Sequence, residues 1–250
     1  MSGFRFKQFE IAQDRCAMKV GTDGVLLGAW ASGGSRILDI GSGTGLISLM
    51  MAQRFPMAQV VGIDMDGDAC EQAQENVERS PFAERIVIKH CRLQDFSSSV
   101  SLSTEVVSSG HGDARQDEIE LFDAIVSNPP FFVNSMKNPD SKRSMARHTD
   151  TLPFRELWSG VKHLLSENGV FSVVLPAEVK EDFVADGCIS GFYLVRQCAV
   201  KTVERKQPKR YLLSFSKHRN GMLESTTEIM MDKEGNRSEW YAKITDEFYL

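Results

Sequence analysis

The chain has 250 residues, 42% of them hydrophobic, enough for one full-sized core or two small ones. Its five cysteines have no regular spacing and no C-x-x-C pair, which excludes a disulfide framework and predicts buried thiols in a reducing compartment. The first residues lead into no apolar stretch typical of a signal peptide, and no run is long enough to span a membrane. We therefore expect a cytoplasmic protein without a membrane or metal partner.

The formal net charge of −5 is unevenly distributed along the chain. Residues 97–120 carry five acids and one base, and residues 221–250 carry seven acids and three bases. Each stretch is therefore −4, which leaves +3 for the remaining residues. Because local charge steers a polyanion more than the total does, the composition does not exclude a nucleic-acid partner.

Strands and helices alternate from residue 36 onward. The hydrophobic pattern predicts strands at 36–40, 59–64, 85–91, 121–127, 170–175, 192–202 and 210–217. Helices are predicted at 24–31, 46–54, 68–78, 154–165 and 177–185, with Asp66 capping the third of them. This order predicts an α/β fold with a mostly parallel seven-stranded sheet and helices on both faces. The last two strands have no helix between them and should form a C-terminal antiparallel pair.

Residues 97–120 interrupt this alternation, with seven serines among acids and few large apolar groups. We expect a mobile surface insertion there and assign it no function. The remaining chain divides into a leading segment, 1–35, and one domain, 36–250.

A glycine-rich turn, Gly41-Ser42-Gly43-Thr44-Gly45, joins the first of these strands to a helix. Glycines let backbone N–H groups approach a ligand closely at the positive end of a helix. Asp64 ends the next strand, where a carboxylate can bind both hydroxyls of a ribose. The turn by itself is a weak signal, since such turns also serve structure, but the turn and Asp64 together predict a nucleoside-containing cofactor.

Two further acids indicate which cofactor it is. The spacing G-x-G-x-G differs from the G-x-G-x-x-G of dinucleotide sites. Asp39, at the end of the first strand, would repel a pyrophosphate but attract the amino group of S-adenosylmethionine. Asp95 follows the third strand, where it can accept from an adenine amino group. Asp64 as a helix cap and Asp95 as a loop acid are the structural alternatives, but three such acids after successive strands favour S-adenosylmethionine.

Asn128-Pro129-Pro130-Phe131 follows the fourth strand. Each proline lacks an N–H, and a residue before proline stays extended, so this stretch presents acceptors. The Asn128 amide oxygen and the Asn128 or Pro129 carbonyl, with Phe131 beside them, suit a planar substrate with an amino group. For the motif by itself, a structural proline turn is an equal alternative.

The order of these motifs across residues 36–175 resembles class I S-adenosylmethionine-dependent methyltransferases of the N-P-P-[FYW] amino-methylating group. The run 13–30 and Ala146-Arg147-His148 are similar to the bacterial tRNA1(Val) N6-adenine methyltransferase family, and the likeness covers nearly the whole chain. It implies a Rossmann-like fold and methylation of the adenine 3′ of the anticodon, at position 37. It implies that the catalytic residues are Asn128, Pro129, Pro130 and Phe131.

The resemblance also implies that residues 1–35 cap the cofactor, with Gln13, Lys19, Thr22 and Asp23 over its methionine end. The alternative is that Thr22 and Asp23 only cap the helix at 24–31. The complete implied set of cofactor-binding residues is Gln13, Lys19, Thr22, Asp23, Asp39, Gly41, Gly43, Gly45, Asp64, Asp95 and Asn128.

Two basic clusters are predicted to contact RNA phosphates, with a solvated basic surface as the alternative. The first follows the proline motif, and the second surrounds the turn between the last two strands. They consist of Lys142, Arg143 and Arg147, and of Lys201, Arg205, Lys206, Lys209 and Arg210.

Other functions remain as rivals. Enzymes with this motif also methylate DNA adenine or a protein glutamine, but Phe131 and the short leading segment speak against glutamine, and little chain remains for a DNA-recognition domain. Asp39 and the proline motif speak against a nicotinamide oxidoreductase. The intact motif and Asp64 speak against a non-catalytic scaffold.

Overall fold

The computed structural model describes residues 3–16, 19–106, 121–130, 154–219 and 221–250. The chain starts with a two-stranded antiparallel hairpin, β1 (Phe4–Arg5) and β2 (Glu10–Ile11), followed by helix α1 (Thr22–Trp30). The remaining strands are β3 (Arg36–Ile40), β4 (Gln59–Asp64), β5 (Ile86–His90), β6 (Phe122–Ser127), β7 (Leu165–Pro176), β8 (Tyr193–Lys201), β9 (Arg210–Ser216) and β10 (Glu224–Ile229). The remaining α-helices are α2 (Leu46–Arg54), α3 (Gly67–Glu78), α4 (Leu93–Val106), α5 (Phe154–Leu164), α6 (Lys180–Ile189) and α7 (Glu239–Thr245).

Strands β3 to β10 form one sheet in the order β10-β8-β9-β7-β6-β3-β4-β5. All neighbours pair in parallel except β9, which is antiparallel to both β7 and β8. The predicted α/β class and the antiparallel pair are therefore confirmed. The sheet has eight strands and not seven, because β10 adds an edge strand beside β8. Its sequence, Glu224-Ser225-Thr226-Thr227, is polar and exposed, so it lacks the apolar pattern by which a strand is predicted.

Helices cover both faces of the sheet, as predicted. One core lies between the sheet and α1, α2, α7 and the β1–β2 hairpin, and the other lies under α4, α5 and α6. Neighbouring residues of β3 show the division, since Ile37 belongs to the first core and Leu38 to the second. Among the described helices, none combines the length and apolarity needed to cross a bilayer.

The predicted insertion at 97–120 does not begin as a loop, because α4 continues to Val106. The hydroxyls of Ser97, Ser98 and Ser99 donate to carbonyls three or four residues earlier on the same helix. These local bonds satisfy the hydroxyls within the helix. Residues 107–120 lie outside the described residues.

Candidate active site

The predicted site residues follow strands that end at one edge of the sheet. Strand β3 lies between β4 and β6, with Ile40 opposite Ile63 on one side and Ser127 on the other. The glycine turn, Asp64 and Asn128 therefore follow three adjacent strands, each roughly 5 Å from the next. The chain continues from β3 to β4 while β6 occupies the other side, which creates the crevice where such sheets bind ligands.

The glycine turn has a backbone that only glycine adopts readily. Gly41, Gly43 and Gly45 have φ angles of 74°, 53° and 79°. A Cβ atom at Gly41 would meet nothing within 4 Å, so the conformation, and not the space, requires glycine there.

Most N–H groups of this turn donate to acceptors within the protein, and the cofactor contacts of its glycines stay a prediction. Gly41 and Ser42 both donate to the Ile63 carbonyl (2.9 and 3.0 Å), and Gly45 donates to Ser42 (2.8 Å). Gly43 donates to Asp64 Oδ2 (2.8 Å). Four of the five N–H groups are thus unavailable to a pyrophosphate, which argues further against a dinucleotide.

Asp64 is held by backbone groups on both sides. Its Oδ1 accepts from the Asp66 N–H (3.0 Å), while Oδ2 accepts from Gly43. A carboxylate has about four acceptor positions, so each oxygen keeps one for a ligand hydroxyl. The helix-capping alternative for Asp64 fails, because Asp66 caps α3 by accepting from the Asp68 and Ala69 N–H groups.

Asp39 is fully buried beneath the glycine turn. Its Oδ2 accepts from Ser48 Oγ on α2 (2.7 Å), and burial raises its pKa to about 7, although the Ser48 bond favours the charged form. Within the described residues, Asp39 Oδ1 and Ser42 Oγ have no hydrogen-bond partner. Two unpaired buried polar atoms at one strand end fit a ligand with an amino group, which would satisfy the carboxylate.

Asp95 lies in the first turn of α4 and not in a loop, and its side chain is exposed. An acid there also favours the helix dipole. The backbone around it is fixed to the β4 end, because the Cys91 N–H donates to the Asp64 carbonyl (2.9 Å). The adenine contact of Asp95 remains a prediction.

The leading segment lies against the glycine turn. A Cβ atom at Gly43 would stand 3.9 Å from Cys16 Sγ. Gln13 forms a hydrogen bond within the segment, since its Oε1 accepts from the Val20 N–H (2.7 Å). Lys19 is exposed.

Thr22 and Asp23 do not cap α1, so the structural alternative for them is wrong. Gly21 occupies the N-cap position, and no side chain caps the helix. Asp23 instead forms an ion pair with Arg210 at the start of β9. Its negative charge is therefore already matched by a cation of the protein.

Asn128 stands at the end of β6 beside α1. It is half-buried, Pro129 is buried and Pro130 is exposed. A Cβ atom at Gly24 would stand 4.0 Å from Asn128 Nδ2, so α1 borders the amide directly. No hydrogen bond of the Asn128 side chain is found within the described ranges, which leaves its oxygen available. Phe131 lies outside the described residues.

The second basic cluster lies at the same edge as the site. Val200 and Pro176 are both paired with Arg210, which places the β8–β9 turn beside the carboxyl end of β7. Arg205, Lys206 and Lys209 are exposed, whereas the Lys201 ammonium donates to the Glu204 carbonyl (3.3 Å). The other cluster, Lys142, Arg143 and Arg147, lies outside the described residues.

Arg210 already has partners within the protein, and its contact with RNA stays a prediction. Its side chain is 22% exposed, is paired with Asp23, and donates to Met230 Sδ (3.4 Å). A charge that is already matched inside the protein gains little from a phosphate.

Known proteins identify the fold and the family. A family model described as a methyltransferase domain matches residues 31–213. A protein of Bacteroides fragilis named tRNA1(Val) (adenine(37)-N6)-methyltransferase is 44% identical over 99% of this chain and 97% of its own length. This chain belongs to the tRNA1(Val) (adenine(37)-N6)-methyltransferase family. The family member of Phocaeicola vulgatus is 45% identical over the same shares of the two chains.

A solved structure supports the fold of this methyltransferase family member. A protein of Agrobacterium tumefaciens described as a predicted O-methyltransferase aligns with a TM-score of 0.66, over 90% of this chain and 96% of its own. At 16% identity the likeness concerns the fold alone. The resemblance to class I methyltransferases and the Rossmann-like fold are confirmed.

Two residues of this site were missed by the sequence analysis. Ser48 holds Asp39, and Gly62 leaves room for it, since a Cβ atom at Gly62 would stand 3.1 Å from both Ser42 Cβ and Ser48 Oγ. A serine inside a helix and a glycine inside a strand carry no spacing signal. Only the packing of α2 against β4 shows their roles.

Proposed function

We propose that this protein transfers a methyl group from S-adenosylmethionine to N6 of an adenine in a tRNA anticodon loop, at position 37 of tRNA1(Val). The proposal is supported by relatives of that name at 44% and 45% identity. The observation that carries the chemistry is the available amide of Asn128, one strand away from the glycine turn. A tRNA-modifying enzyme of this kind acts in the cytoplasm.

The site has residues suited to each part of the cofactor. Asp64 would bind the ribose hydroxyls, Asp95 the adenine amino group and Asp39 the amino group of the methionine part. Within the leading segment 1–35, the stretch from Gln13 to Asp23 would cap that methionine part. When bound, S-adenosylmethionine supplies an electrophilic methyl group on a sulfonium.

The proline motif can activate a weak nucleophile. The N6 lone pair of adenine is delocalised into the ring. Asn128 Oδ1 and the Pro129 carbonyl would accept the two amino hydrogens and draw them out of the ring plane, which localises the lone pair on nitrogen. No strong base is needed, because the proton can leave after the transfer. Positioning and fixed dipoles do the catalytic work.

The target adenine must leave its loop to reach Asn128. Unstacking is least costly in single-stranded RNA, and Phe131 would stack on the extruded base, a contact worth roughly 1–3 kcal/mol. Phosphates of the tRNA would contact Lys201, Arg205, Lys206 and Lys209 around the β8–β9 turn. Lys142, Arg143 and Arg147 would form a second set of phosphate contacts.

A competition between substrate classes tests the proposal. The protein is incubated with tritiated S-adenosylmethionine and equal masses of unmodified total tRNA, unmethylated DNA and cell protein. We expect label in tRNA only, released on digestion as N6-methyladenosine. Label confined to DNA or protein would contradict the substrate, and no label in any of the three would contradict the activity.

A further inference from the structure

One face of α3 holds the leading segment in place. Gln72, Glu75 and Asn76 are three and four residues apart and therefore lie on the same side of the helix. Gln72 Oε1 accepts from the Arg15 N–H (3.3 Å), and Glu75 Oε1 pairs with Arg15 Nη2 (2.7 Å). Asn76 binds both backbone groups of Ala12, since Oδ1 accepts from its N–H and Nδ2 donates to its carbonyl, each at 2.9 Å.

Asn76 also binds the glycine turn. Its Nδ2 donates a second hydrogen bond to the Thr44 carbonyl (2.9 Å). Both amide hydrogens and the amide oxygen are thus engaged with the backbone of two other segments. The residue is 1% exposed, so losing these bonds would leave buried carbonyls and an N–H without partners.

The two segments that Asn76 connects are both assigned to the cofactor site. The glycine turn follows β3, and the segment 12–16 passes over it, with Cys16 beside Gly43. The side-chain amide of Asn76 therefore fixes the distance between these two segments. Asn suits this position because an Asp carboxylate could not donate to the Ala12 and Thr44 carbonyls.

We infer that Asn76 is a positioning residue for the cofactor site, which fixes the glycine turn and the capping segment at the spacing that binds S-adenosylmethionine. The inference rests on the proposed cofactor. Asn76 acts through other residues, so its loss should weaken cofactor binding while the chemistry at Asn128, which is held by β6, continues once the site is filled.

The variant Asn76→Ala tests this role. Calorimetry with S-adenosylhomocysteine should show an affinity on the order of tenfold lower, the change expected for about 1.4 kcal/mol. At saturating S-adenosylmethionine, kcat should stay within about twofold, because only the binding step has changed.

Ser80→Ala, two residues after the end of α3, is the matched control. Ser80 Oγ donates to the Val77 carbonyl (2.7 Å) and accepts from the Phe82 N–H (3.1 Å), and among the described residues it has no hydrogen bond to either segment. It should lower the Tm without lowering the affinity. Should Asn76→Ala fail to fold, Gln72→Ala removes only the acceptor for Arg15 and should lower the affinity by a smaller factor.

Limited trypsin digestion measures directly how accessible the capping segment is to a protease. Cleavage after Arg15 or Lys19 should accelerate in Asn76→Ala and be suppressed by S-adenosylhomocysteine, whereas cleavage after Arg205 in the β8–β9 turn should keep the rate of the unsubstituted protein. Equal acceleration at both places, or equal affinity losses in Asn76→Ala and Ser80→Ala, would overturn the role. If the unsubstituted protein binds no S-adenosylhomocysteine, the proposed function falls together with this inference; normal binding by Asn76→Ala overturns the inference alone.

Discussion

Asn128 is the residue on which the proposed chemistry depends most. It ends a strand of the buried sheet, borders Gly24 of α1, and has no hydrogen bond within the described part of the chain. Because the side chain is only half-buried, a ligand can reach the amide. Asn128 directly follows Ser127, which pairs with Ile40 of β3, and this position gives it the rigidity that a preorganised acceptor needs.

Asn128→Ala should lower kcat by a factor on the order of 100, equivalent to about 3 kcal/mol of barrier, because one preorganised acceptor is lost. Binding of S-adenosylhomocysteine should persist. Ser127→Ala is the control, since Ser127 Oγ donates to the Ile40 carbonyl (2.8 Å) and does not face the substrate. Loss of cofactor binding and methyl transfer together would contradict the role assigned to Asn128.

Asp39 should link cofactor binding to pH. Burial raises its pKa to about 7, so the carboxyl group is mostly protonated at pH 6. A cationic amino group requires the charged form, and binding at pH 6 should therefore release about one proton, falling to none well above pH 7. Calorimetry of S-adenosylhomocysteine binding in two buffers of different ionisation enthalpy measures this number. Asp39→Asn should release none at either pH, and equal release by both proteins would refute the assignment.

The same pKa affects folding stability. A carboxyl group with a higher pKa in the folded protein stabilises the fold fully below its unfolded value of 3.8, and this contribution is lost as the pH rises through about 7. Without ligand, the Tm of the unsubstituted protein should therefore fall more between pH 5 and pH 8 than that of Asp39→Asn. Parallel Tm curves would indicate that Asp39 has an ordinary pKa.

At the scale of elements, the β8–β9 turn is the described basic feature nearest to the site edge. Its exposed residues Arg205, Lys206 and Lys209 are not paired with acids in the described structure, unlike Arg210. RNA phosphates bound at this turn would lie next to the carboxyl end of β7. The turn thus provides local positive charge, although the whole chain has a net charge of −5.

Replacing Lys206 and Lys209 together by alanine should weaken tRNA binding and reduce the slope of log K against log salt by about two, one for each phosphate contact. Filter binding across a salt series measures this slope. Lys162→Ala, on the last turn of α5 at the opposite edge of the sheet, is the control and should leave the slope unchanged. An unchanged slope in the double variant would show that the turn does not bind RNA.

The elements with an apolar period could be predicted, and the polar ones could not. Strands β3 and β4 and helix α2 have the predicted bounds, because their residues are buried on both sides. Strand β10 and helix α4 were missed, since polar residues dominate both sequences. In the candidate site, the acids and Asn128 could be predicted because each lies at or just after the end of a predicted strand. The bonds of Asn76 and of the turn N–H groups depend on packing between distant segments.

At the scale of the whole molecule, one sheet edge unites the features that the chain spreads over 200 residues. The leading segment, three acids, Asn128 and the basic turn belong to different elements but meet there because parallel strands end together. We therefore propose that this edge brings an adenine of tRNA to a methyl donor.

Methylation of a defined transcript tests that claim most directly. Unmodified tRNA1(Val) is incubated with the protein and S-adenosylmethionine, then cut into oligonucleotides and analysed by mass spectrometry. We predict one methyl group, on N6 of adenine 37, and none on a transcript with guanine at that position. A methyl group on another atom or position, or equal methylation of both transcripts, would contradict the claim.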